Sequence, residues 1–188
     1  MAVLLRPLLT DDCDRLFLWR NNPDVARYMY TSHKIGLDEH RQWFARVEGD
    51  RSRRYWICEV NGEPAGLVNL ADIDLGNHRC SWAYYIAEPG ARGKGVGSAI
   101  EFAMLDYVFS SLGLNKLWCE VLVENEPVIA LHQQFGFSRE AVFREHIRKD
   151  GRFIDVVGLG MTAADWRVMR ATAAERLQKK SIEPARIT

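Results

Sequence analysis

This chain of 188 residues carries no net charge, because its 25 lysines and arginines match 25 aspartates and glutamates. A generalised electrostatic footprint for nucleic acid is therefore excluded, although a local basic patch is not. Long apolar runs are missing as well. No segment approaches the roughly 20 residues that a membrane span requires, and the run from Met1 to Pro7 is too brief for a secretory signal. Cysteine is sparse, and Cys13, Cys58, Cys80 and Cys119 lie far apart with no C-x-x-C pair. That spacing speaks against a zinc site or a disulfide framework and for buried thiols in a reducing cytoplasm, with no metal required. Internal repeats, low-complexity stretches and interdomain linkers are absent. What is left fits one domain over residues 1–180, large enough to bury roughly 70% of its unfolded surface. Residues 181–188 read as a loose tail.

Against these absences stands a run of three glycines in five residues, Arg92-Gly93-Lys94-Gly95-Val96-Gly97-Ser98. It follows a strand-like segment, Cys80 to Ala87, and precedes apolar residues at Val96, Ile100, Ala103, Met104, Tyr107 and Val108. Their period is that of an amphipathic helix. Glycines let the backbone turn tightly and bring its amides close to a ligand. The following helix adds unpaired N–H groups and a positive dipole end, so the element suits an anionic phosphate. A P-loop would place Ser or Thr after the lysine, and here Gly95 follows Lys94. A dinucleotide fingerprint would read G-x-G-x-x-G in the first βα unit, and this run reads G-x-G-x-G in mid-chain. The pattern describes a pyrophosphate cradle of another kind.

The remaining elements read in order. A strand covers Val3 to Leu8, and a helix capped by Thr10 runs through Trp19 to about Asn21. A short helix spans Pro23 to Tyr30, and a third runs from Leu37 to about Glu48. Strands Tyr55 to Val60 and Pro64 to Leu70 flank the turn Asn61-Gly62. A further strand covers Lys116 to Val123. Phe137 to Ile147 pairs with Phe153 to Met161, and Thr162 with Asp165 caps a last helix reaching about Lys180.

A second block, Asn125 followed by Ala130-Leu131-His132 and Phe135-Gly136-Phe137, stands at a fixed distance from the cradle. Together, Arg92-x-x-Gly95-x-Gly97 and this block resemble the acetyl-CoA signature of the GCN5-related N-acetyltransferase superfamily. The resemblance implies an α/β (α+β) single domain with a mixed, mostly antiparallel sheet of about seven strands and helices on both faces. It implies acetyl-CoA as cosubstrate, held by Arg92, Gly93, Lys94, Gly95, Val96, Gly97, Ser98 and Asn125. The main chain of Tyr85, Ile86 and Ala87 would hold the thioester and supply the oxyanion donor. The superfamily often pairs through apolar helices and its last hairpin, which extends the option of a homodimer to this chain.

Acyl transfer to an amine needs a neutral amine, a donor for the tetrahedral oxyanion and a proton for the leaving thiolate. The superfamily usually supplies that proton from a tyrosine, and at its position this chain has His132. His132 reads either as that general acid or as a solvated helical histidine. Glu120 interrupts the apolar strand Leu117 to Val123, and Asn69 interrupts Leu67 to Ala71. Each is a catalytic candidate, the alternative being a structural hydrogen bond. An amide takes no proton, so Asn69 would order a water relay.

The segment from Trp19 through Arg20-Asn21-Asn22-Pro23 to Met29-Tyr30, with His40 to Phe44, resembles two branches of the superfamily. One acetylates N-terminal alanine of ribosomal proteins. The other, more similar, acetylates the 4-amino group of UDP-4-amino-4,6-dideoxy-N-acetyl-β-L-altrosamine in the pseudaminic acid pathway of flagellin glycosylation. That likeness implies Arg20 on the diphosphate or nucleotide, Met29, Tyr30, His40 and Trp43 around the uracil, and Trp82 with Glu120 at the sugar. The expected enzyme is a cytoplasmic N-acetyltransferase working by direct attack in a ternary complex. Its partner would be a small nucleotide sugar, with no nucleic acid or membrane involved. The alternatives are a protein N-terminus or a polyamine as acceptor.

Overall fold

The computed structural model describes residues 1–47 and 49–188. The helix expected to end near Glu48 therefore has its last residue outside the described ones. The elements run β1 (Val3–Pro7), α1 (Cys13–Asn21), α2 (Pro23–Ala26), α3 (Leu37–Val47), β2 (Arg54–Val60), β3 (Glu63–Asp74), β4 (Arg79–Ile86) and α4 (Val96–Asp106). They continue with β5 (Lys116–Leu122), α5 (Glu126–Gln134), β6 (Ser138–Lys149), β7 (Arg152–Thr162), α6 (Ala163–Lys179) and β8 (Arg186–Ile187). The strands form one sheet in the order β6-β7-β5-β4-β3-β2-β1-β8, antiparallel except at β4/β5 and β1/β8. Alternation along the strands splits the core in two. Trp56, Val68, Leu70, Cys80 and Trp82 pack under α4 to α6, while Ile57, Leu67 and Ala87 pack under α1 to α3.

The turn chemistry follows the sequence. Asn61 and Gly62 both take positive φ between β2 and β3, and Asp150 and Gly151 do so between β6 and β7. Thr162 and Asp165 form a reciprocal capping box at the start of α6. At α1 the start differs from expectation. Residues 10–12 make a 3-10 turn, and it is the Asp12 carboxylate that accepts the Leu9 amide while gripping Arg6 through both oxygens. The helix opened by Pro23 stops at Ala26, well short of Tyr30.

The tail corrects the sequence reading. Residues 181–188 are not loose, since Arg186–Ile187 pairs in parallel with β1 and makes an eighth strand. Two strand residues are too few to give a periodic signal. The sheet edge that they cover is created only by the fold.

Candidate functional site

In the middle of the sheet β4 and β5 part company. They pair only from Arg79/Lys116 to Ser81/Trp118. Beyond that point β4 stays on β3 and β5 stays on β7, each to its end. Trp82 to Ile86 therefore face a gap with no ladder on the β5 side. Rings fill the gap from the α4/α5 side, with Trp82, His132 and Phe137 within 5.1–6.3 Å of one another. On the opposite face Ala83 is exposed, so the gap opens toward α1 to α3.

The glycine run lies at the mouth of this gap. Gly93 has φ +73°, and Gly95 is the left-handed N-cap of α4 at φ +86°. A Cβ at Gly97 would come within 3.1 Å of Leu131 Cδ2 and of the Tyr84 hydroxyl. The backbone therefore sits as close to its neighbours as glycine permits, with the first amides of α4 unpaired within the helix. Ser98 lines a cleft of about 620 Å³ with Gln133, Gln134, Arg176 and Lys180. An extended thioester ending in a pyrophosphate fits a main-chain gap that leads into such a cradle. Residues 2–138 match the family model described as the acetyltransferase (GNAT) domain. The chain belongs to the GNAT acetyltransferases, and it is an N-acetyltransferase.

Similarity extends over nearly the whole chain. Spermidine N(1)-acetyltransferase of Escherichia coli K12 is 28% identical over 182 residues, covering 97% of each chain. Acetyltransferase PseH of Campylobacter jejuni strain 81-176 is 28% identical over 131 residues, covering 70% of this chain and 80% of its own. Among solved structures, spermidine N-acetyltransferase from Vibrio cholerae in complex with CoA and spermine has a TM-score of 0.81 at 25% identity, covering 88% of this chain and 98% of its own.

Within this GNAT frame several residues occupy places that the sequence did not suggest. Arg92 does not project over the cradle. Its Nε and Nη2 donate to the carbonyls of Ile86 and Ala87 at 3.0 Å, and Nη1 meets Asp24. It pins the end of β4, which leaves exposed Lys94 as the cation at the glycine run. Val96 is core, at 1% exposure. Asn125 caps α5 through its carbonyl, which accepts from Val128 and Ile129.

His132 is not solvated. It is buried with Nδ1 2.6 Å from Glu101 Oε1, in a pair that sequence reading missed. Burial works against the charged imidazole, but the Glu101 carboxylate and the Cys119 thiol outweigh it and raise His132 to about 10. The second Glu101 oxygen is buried with no hydrogen-bond partner among the described residues. A signal existed, because Glu101 is an acid within the otherwise apolar run Ala99 to Leu105.

The other face of the sheet is covered by α1, α2, α3 and the loop between α2 and α3. Tyr30 donates to Glu120 Oε2 at 2.7 Å, which brings together two residues of the sequence reading. Asn69 is paired with Ala83 across β3/β4 and is half-buried. Arg20 is largely buried beside Tyr85, and Arg20 Nη1 and the Tyr85 hydroxyl both lack a hydrogen-bond partner among the described residues. Burial lowers the Arg20 guanidinium below its ordinary range, with no carboxylate opposing the effect. Lys149, which no spacing had singled out, reaches under this loop and donates to the carbonyls of Ala26 and Met29. In sequence it looks like an ordinary polar residue beside a hairpin turn. Arg20, Arg27, Met29, Lys34, Lys149 and Asp150 line a pocket of about 360 Å³.

Two expected pocket residues lie elsewhere. His40 is 2% exposed, is bonded through Nε2 to the Cys13 carbonyl and packs on Phe17 and Trp43. It locks α3 onto α1. Trp82 points to the α4/α5 side of the sheet, one residue out of phase with Ala83 and Tyr85, so it meets cofactor-side core and not the acceptor. Trp43 is half-buried, edge-on to Tyr55.

Proposed function

We propose that this GNAT enzyme acetylates the amino group of an anionic acceptor, a nucleotide-linked amino sugar of the UDP-4-amino-4,6-dideoxy type. The observation that carries the reading is half-buried Arg20, whose buried Nη1 has no hydrogen-bond partner among the described residues, in a pocket with three further cations and one carboxylate, Asp150. A buried cation without a counter-charge is costly unless a ligand supplies one. A diphosphate matches a guanidinium fork. A polyamine would instead be repelled by four cations. Similarity to acetyltransferase PseH agrees with this reading.

Bound acetyl-CoA would supply the acetyl group and a thiolate leaving group. The amides after Gly95 would hold its pyrophosphate, and the unladdered main chain of β4 its extended arm and carbonyl oxygen. Met29 and Tyr30 would flank the base of the acceptor, and Arg20 would take its diphosphate. Glu120, oriented by Tyr30, would accept the ammonium proton, and Asn69 would orient the amine through a hydrogen bond. His132, kept protonated beside Glu101, would return a proton to the thiolate.

Thiol release from acetyl-CoA tests this, comparing the UDP-linked 4-amino sugar, spermidine and an alanine-initiated peptide. The expected result is turnover with the nucleotide sugar and an acceptor KM at least about tenfold higher in Arg20→Ala. The second reading, a polyamine acceptor, is favoured by the full-length similarity to spermidine N(1)-acetyltransferase. Turnover with spermidine alone would replace the first reading by the second.

A further inference from the structure

The last eight residues end against the cradle. After α6, Ser181 takes a left-handed turn at φ +52°, and the amides of Ser181 and Ile182 close on the carbonyls of Gln178 and Leu177. That turn aims Ile182 at the glycine run. A Cβ on Gly95 would land on Ile182 Cδ1 and lie within 2.8 Å of its Cγ1. Glycine is thus required at 95 both by φ and by the isoleucine seated on it. Three residues on, the Ala185 amide donates to the carbonyl of Ala99 in the first turn of α4. The chain then finishes as β8 on β1, where the Thr188 amide donates to the Leu5 carbonyl. The origin of the segment is fixed independently, since Trp166 and Arg170 of α6 bind both oxygens of Asp106 at the far end of α4.

We propose that residues 181–188 are a latch on the cofactor site, with Ile182 a positioning residue that holds Gly95 and the first turn of α4 in the shape that binds CoA. The proposal rests on the glycine run being the pyrophosphate cradle and is independent of the acceptor. The segment has the make-up of an element that opens. Ordering eight residues is entropically costly, and only Ala185 among them is buried. Its local stability therefore falls at the low end of the molecule. If the closed latch favours the CoA-binding shape, linkage requires CoA to favour the closed latch by the same factor.

Both directions are measurable on the full chain. Calorimetric titration with CoA is expected to give a Kd about fivefold or more weaker for Ile182→Ala. Ile182→Leu, which keeps the side-chain volume, should restore affinity to within about twofold. Glu175→Ala, exposed on α6 and outside the segment, should bind as wild type. On the unsubstituted protein, hydrogen exchange at the Ile182, Ala185 and Thr188 amides should slow in the presence of CoA, which requires no variant to fold. Unchanged or tighter CoA binding by Ile182→Ala would overturn the latch, as would amide exchange in residues 181–188 that is indifferent to CoA. A wild-type protein that binds no CoA would overturn the cradle and the latch with it.

Discussion

On the side of the sheet proposed for the cofactor the groups offered to a ligand are mostly main chain, whereas on the side proposed for the acceptor they are mostly side chains. The glycine run and the parted β4 offer amides and carbonyls positioned by φ angles and by the absence of Cβ atoms. The acceptor face offers Arg20, Tyr30, Glu120 and a loop stapled by Lys149. A main-chain site admits few substitutions but gives one shape. A side-chain site can be re-lettered residue by residue, which suits a superfamily that keeps its cofactor and changes its acceptor.

The largest effect should come from Gly95→Val. A β-branched residue at φ +86° facing Ile182 is strained in backbone and contact alike, so CoA affinity should fall about a hundredfold. Calorimetry checks this, with circular dichroism to show that the fold persists. Near-normal binding would break the claim that the cofactor side is fixed by its backbone.

Glu101→Gln should come next. Without the carboxylate the main group opposing burial is gone and the charged form of His132 is weakened, so kcat should fall by about ten- to a hundredfold. CoA affinity should stay within about twofold, because the cradle amides are untouched. An unaltered kcat would leave His132 and Glu101 a structural pair only.

Arg20→Met should separate the two halves. Acceptor KM should rise about tenfold with CoA binding unchanged. The melting temperature should increase by about 2–4 °C, because a half-buried guanidinium whose buried Nη1 has no partner among the described residues is replaced by an apolar chain. A fall in melting temperature would mean that Arg20 has a partner in solution.

A separate effect concerns pH. The folded protein holds His132 at about 10 against an unfolded value of 6.5. Its contribution to stability is therefore complete below about pH 6.5, declines as pH rises and is gone above about pH 10. Thermal melts between pH 6 and 10 should show this decline in the wild type and lack it in His132→Gln.

The same division explains what could be read from the chain alone. Gly93, Gly95 and Gly97 were legible because positive φ and close approach leave few residues to choose from. The capping box at Thr162 and the hairpin turn at Asn61 were legible for the same local reason. His40 and Trp82 were misassigned because residue type and helical or strand phase name a face without naming what covers it. Both turned out to be packed into the protein, His40 by its bond to Cys13 and Trp82 by the single-residue alternation of β4. Lys149 stands 120 residues from Met29, whose carbonyl it holds, and no local pattern announces so distant a contact.

The parting of β4 and β5 has one more consequence. A sheet has two edges, and here β8 occupies one flank and β6 the other. Trp82 to Ile86, however, form an additional border inside the array, an unpaired rim at the centre of the structure. Interior strands are ordinarily where amide exchange is slowest. In this protein the gap-facing amides of β4 should exchange quickly until an extended ligand lies along them. Bound in that way, the cofactor would act as a missing strand, and the stability it adds would grow with its concentration. Cellular supply of the acetyl donor would then set how much of the protein remains folded as well as how fast it turns over.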